Sequence, residues 1–477
     1  MKEFEKFITS PFFNNGRNYL PLYKTLKYYY PAFDNPKLTE EKIFNRLYPG
    51  IDFNTGNTST LRSMISRMCG LAEKFMVYNE FESGKFQYTY NLLLADLYRN
   101  KKFYGSALKV LLQNSTKIDN DDDKEKFVYR RLETNKLLSD IFIQQDKPNE
   151  DYKYSSKNIL YIYTYIFETL SSFHNKIRVS NRNYNIIYKG YDLVMHFVKT
   201  FDPILFDKEC PEDNYATKEL VLVNYYLLKS LLDENDNESI LYSIDLYIRI
   251  FDKLSHFKQF SLFSLLFNRC IGKYRFDKLY LQKGNELIDY VWGKGVFSYS
   301  VQSPILLIQY LSALHFKLAL SKTIELRRFI SKYAGEVSQE FKEDIKKYSY
   351  ACLYFKEKSY KKCLEQISQK DSLPVTININ VSKFKICCLY ELTYLENTLS
   401  AIDSFDHFLR KNKSVSEIIK TENFKFVKGI RKLIKLKLGN LEAHNFDSDE
   451  ISELTKNLIL GYWFKEKLEE LIQKGAN

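Results

Sequence analysis

The stretch that decides the fold is Tyr350-Ala351-Cys352-Leu353-Tyr354-Phe355, followed by Ser359-Tyr360 and then by Cys363-Leu364 and Ile367. Its apolar residues fall at helical spacing, small residues stand where two helices would cross closely, and an aromatic marks the turn. The triplet Cys352-Leu353-Tyr354 returns 36 residues later as Cys388-Leu389-Tyr390, followed by Leu399, Ile402 and Phe405. Phe103-Tyr104-Gly105-Ser106-Ala107-Leu108 fits the second helix of the same unit. A helix pair of this kind buries its apolar face only by stacking on a neighbour, so recurrence of the pattern implies an array.

Outward from that unit, the chain from about Tyr90 is a succession of amphipathic segments of roughly 12 to 22 residues with short polar links. The spacing predicts helices over Tyr154–His174, Asn181–Thr200, Thr217–Leu232, Ser239–Leu254, Ile305–Leu320 and Gln339–Phe355. A closing helix is expected from Glu450 to Gln473, carrying Leu460, Trp463, Phe464, Leu468 and Leu471. Only 16 Gly and 10 Pro punctuate 477 residues, too few for the turns of an all-β chain. The acidic links Asp119–Asp123 and Asp233–Glu238 lack the sixth-position Gly and the closing Glu of a calcium loop, and read as solvated linkers and caps.

The first 80 residues differ. A short helix ends at Ser10-Pro11, and another, around Tyr19–Tyr30, stops at Pro31. Thr39 caps a third with Glu40 and Glu41 in its first turn, where they suit the positive end of the dipole. A fourth runs from Thr60 to about Phe75.

The Tyr350–Ile367 unit and its recurrence resemble tetratricopeptide repeats, whose period is ~34 residues. The consensus Trp and Pro are missing, so the resemblance is to a degenerate form covering about half of the chain. It implies an all-α fold: an α-solenoid of tetratricopeptide-like hairpins with a small N-terminal helical domain. The expected divisions are 1–80 for that domain, 81–335 for irregular helical repeats, and 336–477 for tetratricopeptide-like repeats with a C-terminal capping helix. Phe7 with Ser10-Pro11-Phe12-Phe13-Asn14, Leu38 to Ile43, Leu47-Tyr48-Pro49-Gly50, Leu389 to Leu392 and Phe405 to Arg410 also resemble a group of uncharacterised bacterial proteins. That second resemblance supports the architecture and implies no activity.

Composition bounds the functional classes. Apolar residues make up 45% and charged residues 27%, a globular balance, and 38 Tyr with 36 Phe can fill a large core. The net charge of +12 is concentrated in residues 410 to 437, where ten Lys and Arg face Glu417 and Glu422. Seven cysteines form no C-x-x-C and lie mostly in apolar patterns, as expected of buried thiols in a reducing, cytoplasmic compartment. The uncharged run at 296–316 holds Pro304, Gln302, Gln309 and His315, and reads as a core helix, so no membrane association is expected.

No catalytic motif is present. Gly84-Lys85 has Asn79 and Phe86 where a phosphate-binding loop needs Gly and Ser or Thr. None of the six histidines pairs with another His or a Cys at metal-ligand spacing. His196 and His315 sit in apolar helices and read as core or interface residues. The expectation is a non-enzyme without metal or cofactor.

Two stretches carry leads. Glu40–Leu47, Tyr48-Pro49-Gly50 and Leu61 to Met68 resemble the winged helix-turn-helix of bacterial activators that carry tetratricopeptide domains. That resemblance implies DNA contact by Arg62, Arg67 and Lys74, with a wing hairpin formed by Met76 to Tyr90. The other reading of this segment is a helix continued into Asn91–Leu94. Near the C-terminus, Lys425, Lys428, Arg431, Lys432 and Lys435 lie opposite the stripe Phe424, Val427, Ile430, Leu433 and Ile434, a face able to neutralise phosphates or dock an acidic segment. The expected function is a scaffold or adaptor for a protein or peptide partner; a DNA-binding regulator, with nucleic acid as partner, is the alternative.

Overall fold

The computed structural model describes residues 2–14, 16–36, 38–82, 84, 86–120, 127–184, 190–210, 217–233, 235–273, 277–296, 304–337, 340–367, 374–413, 415–438, 454 and 460–475. Among the described residues there are 22 α-helices and no strand. The chain divides into two compact units, Met1–Asn120 with Leu137–Asp151, and Asp121–Lys136 with Tyr152–Asn477.

In the first unit, α1 (Lys2–Thr9), α2 (Leu20–Lys27), α3 (Glu40–Leu47) and α4 (Thr55–Glu82) share one core, formed by Phe7, Ile8, Leu22, Tyr23, Ile43, Phe44, Leu61, Met64 and Met68 among others. The Thr39 hydroxyl caps α3 by accepting from the Lys42 N–H at 3.3 Å. Helix α4 starts five residues before the expected Thr60, because Asn54 Oδ1 accepts the Asn57 N–H at 3.0 Å and caps the helix there. It also outlasts Phe75. Phe75, edge-on, and Tyr78, tilted, both pack against the ring of Phe7 of α1, at 5.4 and 6.1 Å between ring centroids, and this contact carries the helix onward. The expected wing hairpin is therefore corrected: Met76–Glu82 belong to α4 and Gln87–Tyr90 open α5 (Gln87–Asn100), while Ser83 and Lys85 lie outside the described residues.

Helix α5 pairs with α6 (Tyr104–Asn120) across Ala95 and Ala107, both fully buried, whose size lets the backbones approach. The turn between them is a Schellman motif. Lys102 takes φ 63°, its N–H bonds the Arg99 carbonyl, and the Phe103 N–H reaches back to the Tyr98 carbonyl at 2.8 Å. The same turn joins α7 (Phe127–Gln144) to α8 (Pro148–Tyr184), with Asp146 at φ 56° and Lys147 N–H bonding Phe142 O. It recurs at Lys358 and at Thr393 in the second unit, so four helix pairs turn by one device without glycine.

The second unit continues through α9 (Tyr191–Thr200) and α10 (Pro203–Glu209), packed against α8 and α11 through Phe167, Val198, Phe206, Val221 and Tyr225. Helix α8 is longer than the expected Tyr154–His174, since Pro148 follows the Schellman turn as its first residue. The expected Asn181–Thr200 helix is interrupted: α8 ends at Tyr184, residues 185–189 lie outside the described residues, and Gly190 at φ 88° precedes α9.

Six helix pairs follow, each with a first (A) and a second (B) helix in mutual contact: α11 (Thr217–Leu232) with α12 (Asn237–Ile250), α13 (His256–Lys273) with α14 (Lys278–Gly293), α15 (Pro304–Leu320) with α16 (Thr323–Tyr333), α17 (Lys342–Lys356) with α18 (Tyr360–Gln366), α19 (Val375–Glu391) with α20 (Leu395–Lys411), and α21 (Glu417–Lys437) with α22 (Gly461–Gly475). Of the expected closing helix, only Leu454 and the part from Leu460 onward are described. The A helices recur at intervals of roughly 40 residues. Each B helix also touches the next A helix, α15 touches α17, and α17 touches α19. One continuous core runs through all six pairs, from Leu220 to Leu468.

Cations, of which Arg269 is buried, Lys356 half-buried and Lys437 exposed, tie successive A helices together. Arg269 of α13 donates to the Ser230 carbonyl near the end of α11, Lys356 of α17 to the Leu318 carbonyl of α15, and Lys437 of α21 to the Tyr390 carbonyl of α19. In each case a positive side chain meets the carbonyl-rich, negative end of the preceding A helix. The acidic link at 233–238 has the local role expected: Asp236 accepts the Ser239 N–H at 2.9 Å and caps α12, with residue 234 outside the described residues. Residues 121–126 of the other acidic link also lie outside them.

Candidate interaction surfaces

The basic residues of α4 are not equivalent. Arg62 is held in a two-pronged contact by Glu40 of α3, Nε to Oε1 at 2.8 Å and Nη2 to Oε2 at 3.1 Å. The pair holds the Glu40 carboxyl below its ordinary value and raises the Arg62 guanidinium. A guanidinium so engaged has its planar fork occupied, which is the geometry a guanine edge would need. Arg67 and Lys74 are exposed and share one side of α4, with Glu73 beside Lys74.

On α21 the apolar stripe faces inward: Val427, Ile430, Leu433 and Ile434 are buried, as is Phe426, while Phe424 is half-buried beneath the Arg410 guanidinium at 5.0 Å. Lys425, Lys428, Arg431 and Lys435 are exposed and Lys432 is half-buried. Arg431 pairs with Asp403 of α20 at 2.8 Å, and Arg410 with Asp406 at 2.7 Å. The two sets of basic residues stand on different units, the first on α4 of the first unit and the second on α21 of the second.

Sequence reasoning missed a third feature, a set of side-chain bridges that join A helices of the second unit to one another and to α8. Asn268 of α13 donates to Asn175 of α8 at 3.1 Å and receives from Gln309 of α15 at 3.5 Å. His315 of α15 meets the Tyr348 hydroxyl of α17 at 2.8 Å, and Tyr348 in turn bonds Asn380 of α19. Lys258 of α13 reaches Glu168 of α8 at 2.5 Å. Beside these bridges the A helices leave partly or fully exposed stripes: Phe257, Ser261, Leu265 and Asn268 on α13, and Ile308, Ser312 and His315 on α15. The signal was present as polar residues inside apolar helices, but nothing in helical spacing says which of them meet.

The titratable groups in this region are poor reagents. Burial, with a contribution from the Lys383 ammonium, pushes the His315 imidazole down to about 3, so it is neutral at ordinary pH. His196, expected in a core or interface, is instead exposed on α9, because Met195 and Val198 take the inward positions. Six of the seven cysteines are buried and Cys69 is exposed; all are unpaired thiols. Burial raises Cys270 to about 12 and drives Cys352 and Cys387 upward as well, while a bond to Cys363 leads the rise at Cys388. Such thiols are nearly devoid of thiolate. Among the described residues no group of three or more His, Cys, Asp or Glu is placed to hold a metal ion, and no helix is long and apolar enough to cross a membrane.

Compared with family models, with curated proteins and with solved structures, the chain matches none.

Proposed function

We propose that the chain is a non-enzymatic scaffold or adaptor, a stack of tetratricopeptide-like hairpins that binds a protein or peptide partner along the uncovered face of its A helices. The observation that carries this reading is the repeated tie between A helices, from Arg269, Lys356 and Lys437 to the ends of the preceding ones. Ties of that kind hold A helices side by side, and side-by-side helices present a continuous surface for an extended partner. The stripes on α13 and α15 alternate apolar side chains with amides and hydroxyls, the composition of a surface that recognises peptide rather than performs chemistry. Fold analogy supplies the rest of the argument.

The DNA-regulator alternative draws less support, since Arg62 is occupied by Glu40 and Met76–Glu82 and Gln87–Tyr90 of the expected wing are helical. A photo-crosslinking amino acid placed at Ile308, Ser312 or Leu265, at Asp245 of α12 and Glu286 of α14 as B-helix controls, and separately at Arg67 or Lys74 of α4, tests both readings in native lysate. Protein crosslinks confined to the A positions are expected. Equal crosslinking from the B positions would refute the adaptor, and crosslinks to nucleic acid from Arg67 or Lys74 would establish the alternative.

A further inference from the structure

Helix α5 of the first unit is apolar on its outward side. Its buried positions are Asn91 and Ala95, a polar and a small residue. Phe86 at the N-cap position, Tyr90, Leu93 and Leu97 are instead 45%, 50%, 58% and 58% exposed. They follow one another at steps of four, three and four residues, which gathers them into one stripe about 16 Å long. The Phe86 ring lies 5.6 Å from that of Phe81, and among the described residues Tyr90 has no ring contact and no side-chain hydrogen bond. Single exposed aliphatics are ordinary on a surface. Four large side chains in one row are not, and a helix apolar on its outward side is one that something covers.

We infer that this stripe pairs with the same stripe of a second copy of the chain, the two α5 helices running antiparallel about a two-fold axis between Tyr90 and Leu93. The inference goes beyond the adaptor reading and does not rest on it. Three observations select a second copy. The four-three-four spacing reads the same in both directions, so the stripe is complementary to itself under a two-fold rotation, as an isologous contact requires. The rotation sets Phe86 against Leu97 of the other copy and Tyr90 against Leu93, a ring beside a smaller side chain at every level. Charge makes the third argument. From Phe86 to Tyr98 the only charged residue is Asp96, which pairs with Arg99 at 2.7 Å. Two copies of a chain with net charge +12 can therefore meet here without repulsion, and an acidic or basic partner finds nothing to hold. Lys101 and Lys102, exposed at one end of α5, fix the direction: parallel helices would crowd four ammonium groups together, and antiparallel ones keep the pairs apart. Four half-uncovered side chains amount to on the order of 400 Å² per copy, short of the ~800 Å² per partner of a standard stable complex. The dimer is accordingly weak, with a dissociation constant in the micromolar range.

The test is sedimentation equilibrium of the full chain from low-micromolar to high-micromolar concentration. A reversible monomer–dimer equilibrium is expected. Leu93→Glu with Leu97→Glu should weaken it at least tenfold, because each carboxylate would be buried against a ring of the other copy. Ile204→Glu, at a 79% exposed position on α10 of the second unit, should leave it unchanged. All three positions are exposed, and unchanged helical circular dichroism verifies that the variants fold. Direction is read in a Cys69→Ser background, which removes the exposed native thiol. There a short bismaleimide should join the Tyr90→Cys chain to the Leu93→Cys chain in preference to joining either to itself. A chain that stays monomeric throughout, or a dimer indifferent to the two glutamates, would overturn the inference. Preferential linkage of Tyr90→Cys to itself would overturn the antiparallel arrangement. A monomer whose photo-crosslinker at Leu93 captures a different protein would overturn the self-pairing and give the stripe to that protein.

Discussion

Two glycines nine residues apart on α14 should respond to alanine in opposite directions. A Cβ built on Gly284 meets Phe316 Cε1 at 2.5 Å, Phe316 Cδ1 at 3.1 Å and Cys270 Cβ at 3.3 Å; at Gly293 it meets nothing within 4 Å. Carbon atoms rest about 3.5–4.0 Å apart, so the first contact is more than 1 Å too close. Phe316 cannot swing clear, being fully buried with its ring 5.0 Å from that of Phe267, and Cys270 is fully buried as well. Helix α14 must therefore back away from α13 and α15. Overpacking of this kind costs about 1–3 kcal/mol, against which alanine's helix propensity returns about 1 kcal/mol. Gly284→Ala should thus lose up to about 2 kcal/mol net, while Gly293→Ala, exposed at the helix end, should gain a few tenths to about 1 kcal/mol. Urea unfolding followed by circular dichroism reads both as midpoint shifts at constant slope. Phe316→Leu removes the clashing ring edge, so the Gly284→Ala/Phe316→Leu double variant should lose less than the sum of its parts. If Gly284→Ala proved as stabilising as Gly293→Ala, the close approach of α13, α14 and α15 would be wrong, and with it the packing of the second unit.

Three other measurements follow from the same geometry. His315, held neutral in the fold to about pH 3 but titrating near 6.5 when unfolded, contributes stability that is complete above pH 6.5 and lost as pH falls below it. Between pH 7 and pH 5 the loss should be about 2 kcal/mol, and His315→Gln should abolish that part of the slope in urea titrations at the two pH values. Thr393 is a β-branched residue at φ 62°, so Thr393→Gly should raise stability by about 1 kcal/mol; a thermal midpoint that fell would contradict the Schellman turn there. A thiol reagent added to the native protein should modify Cys69 and spare the six buried cysteines, as counted by intact mass, whereas rapid labelling of Cys352 or Cys388 would contradict their burial.

What the sequence disclosed and withheld follows a physical division. Helix α11 lies where its apolar spacing placed it, Thr217–Leu232, because it is buried along most of its circumference and its pattern is dense. The hairpin at Tyr350–Ile367 was legible for a related reason, since Ala351, Cys352 and Cys363 are all fully buried at the helix crossing. Helix ends were less legible. They are set by caps such as Asn54 and by Schellman turns at Lys102, Asp146, Lys358 and Thr393, residues that carry no glycine to announce a positive φ. The wing failed as an expectation because Phe75 and Tyr78 make their ring contacts with α1, about seventy residues away in sequence, and spacing within a segment is blind to such a partner.

The candidate surfaces were hidden by an assumption that spacing invites, that a charge in an amphipathic helix belongs to water. Arg269 is buried, and Lys356 and Lys437 reach backbone carbonyls of another helix. Their function depends on where that helix ends, which no local pattern contains. The reverse error concerns Ile418 and Leu438. Spacing assigns an apolar residue to the core, yet both are about half exposed on α21, at the ends of a lysine row. A buried cation is costly unless something answers it, whereas a single exposed aliphatic is an ordinary feature of a surface. For the cations the answer lies within the fold, in the terminal carbonyls of the preceding A helices. Ile418 and Leu438 are exposed singly, as many aliphatic and aromatic side chains of this chain are, and the surface carries them without such an answer.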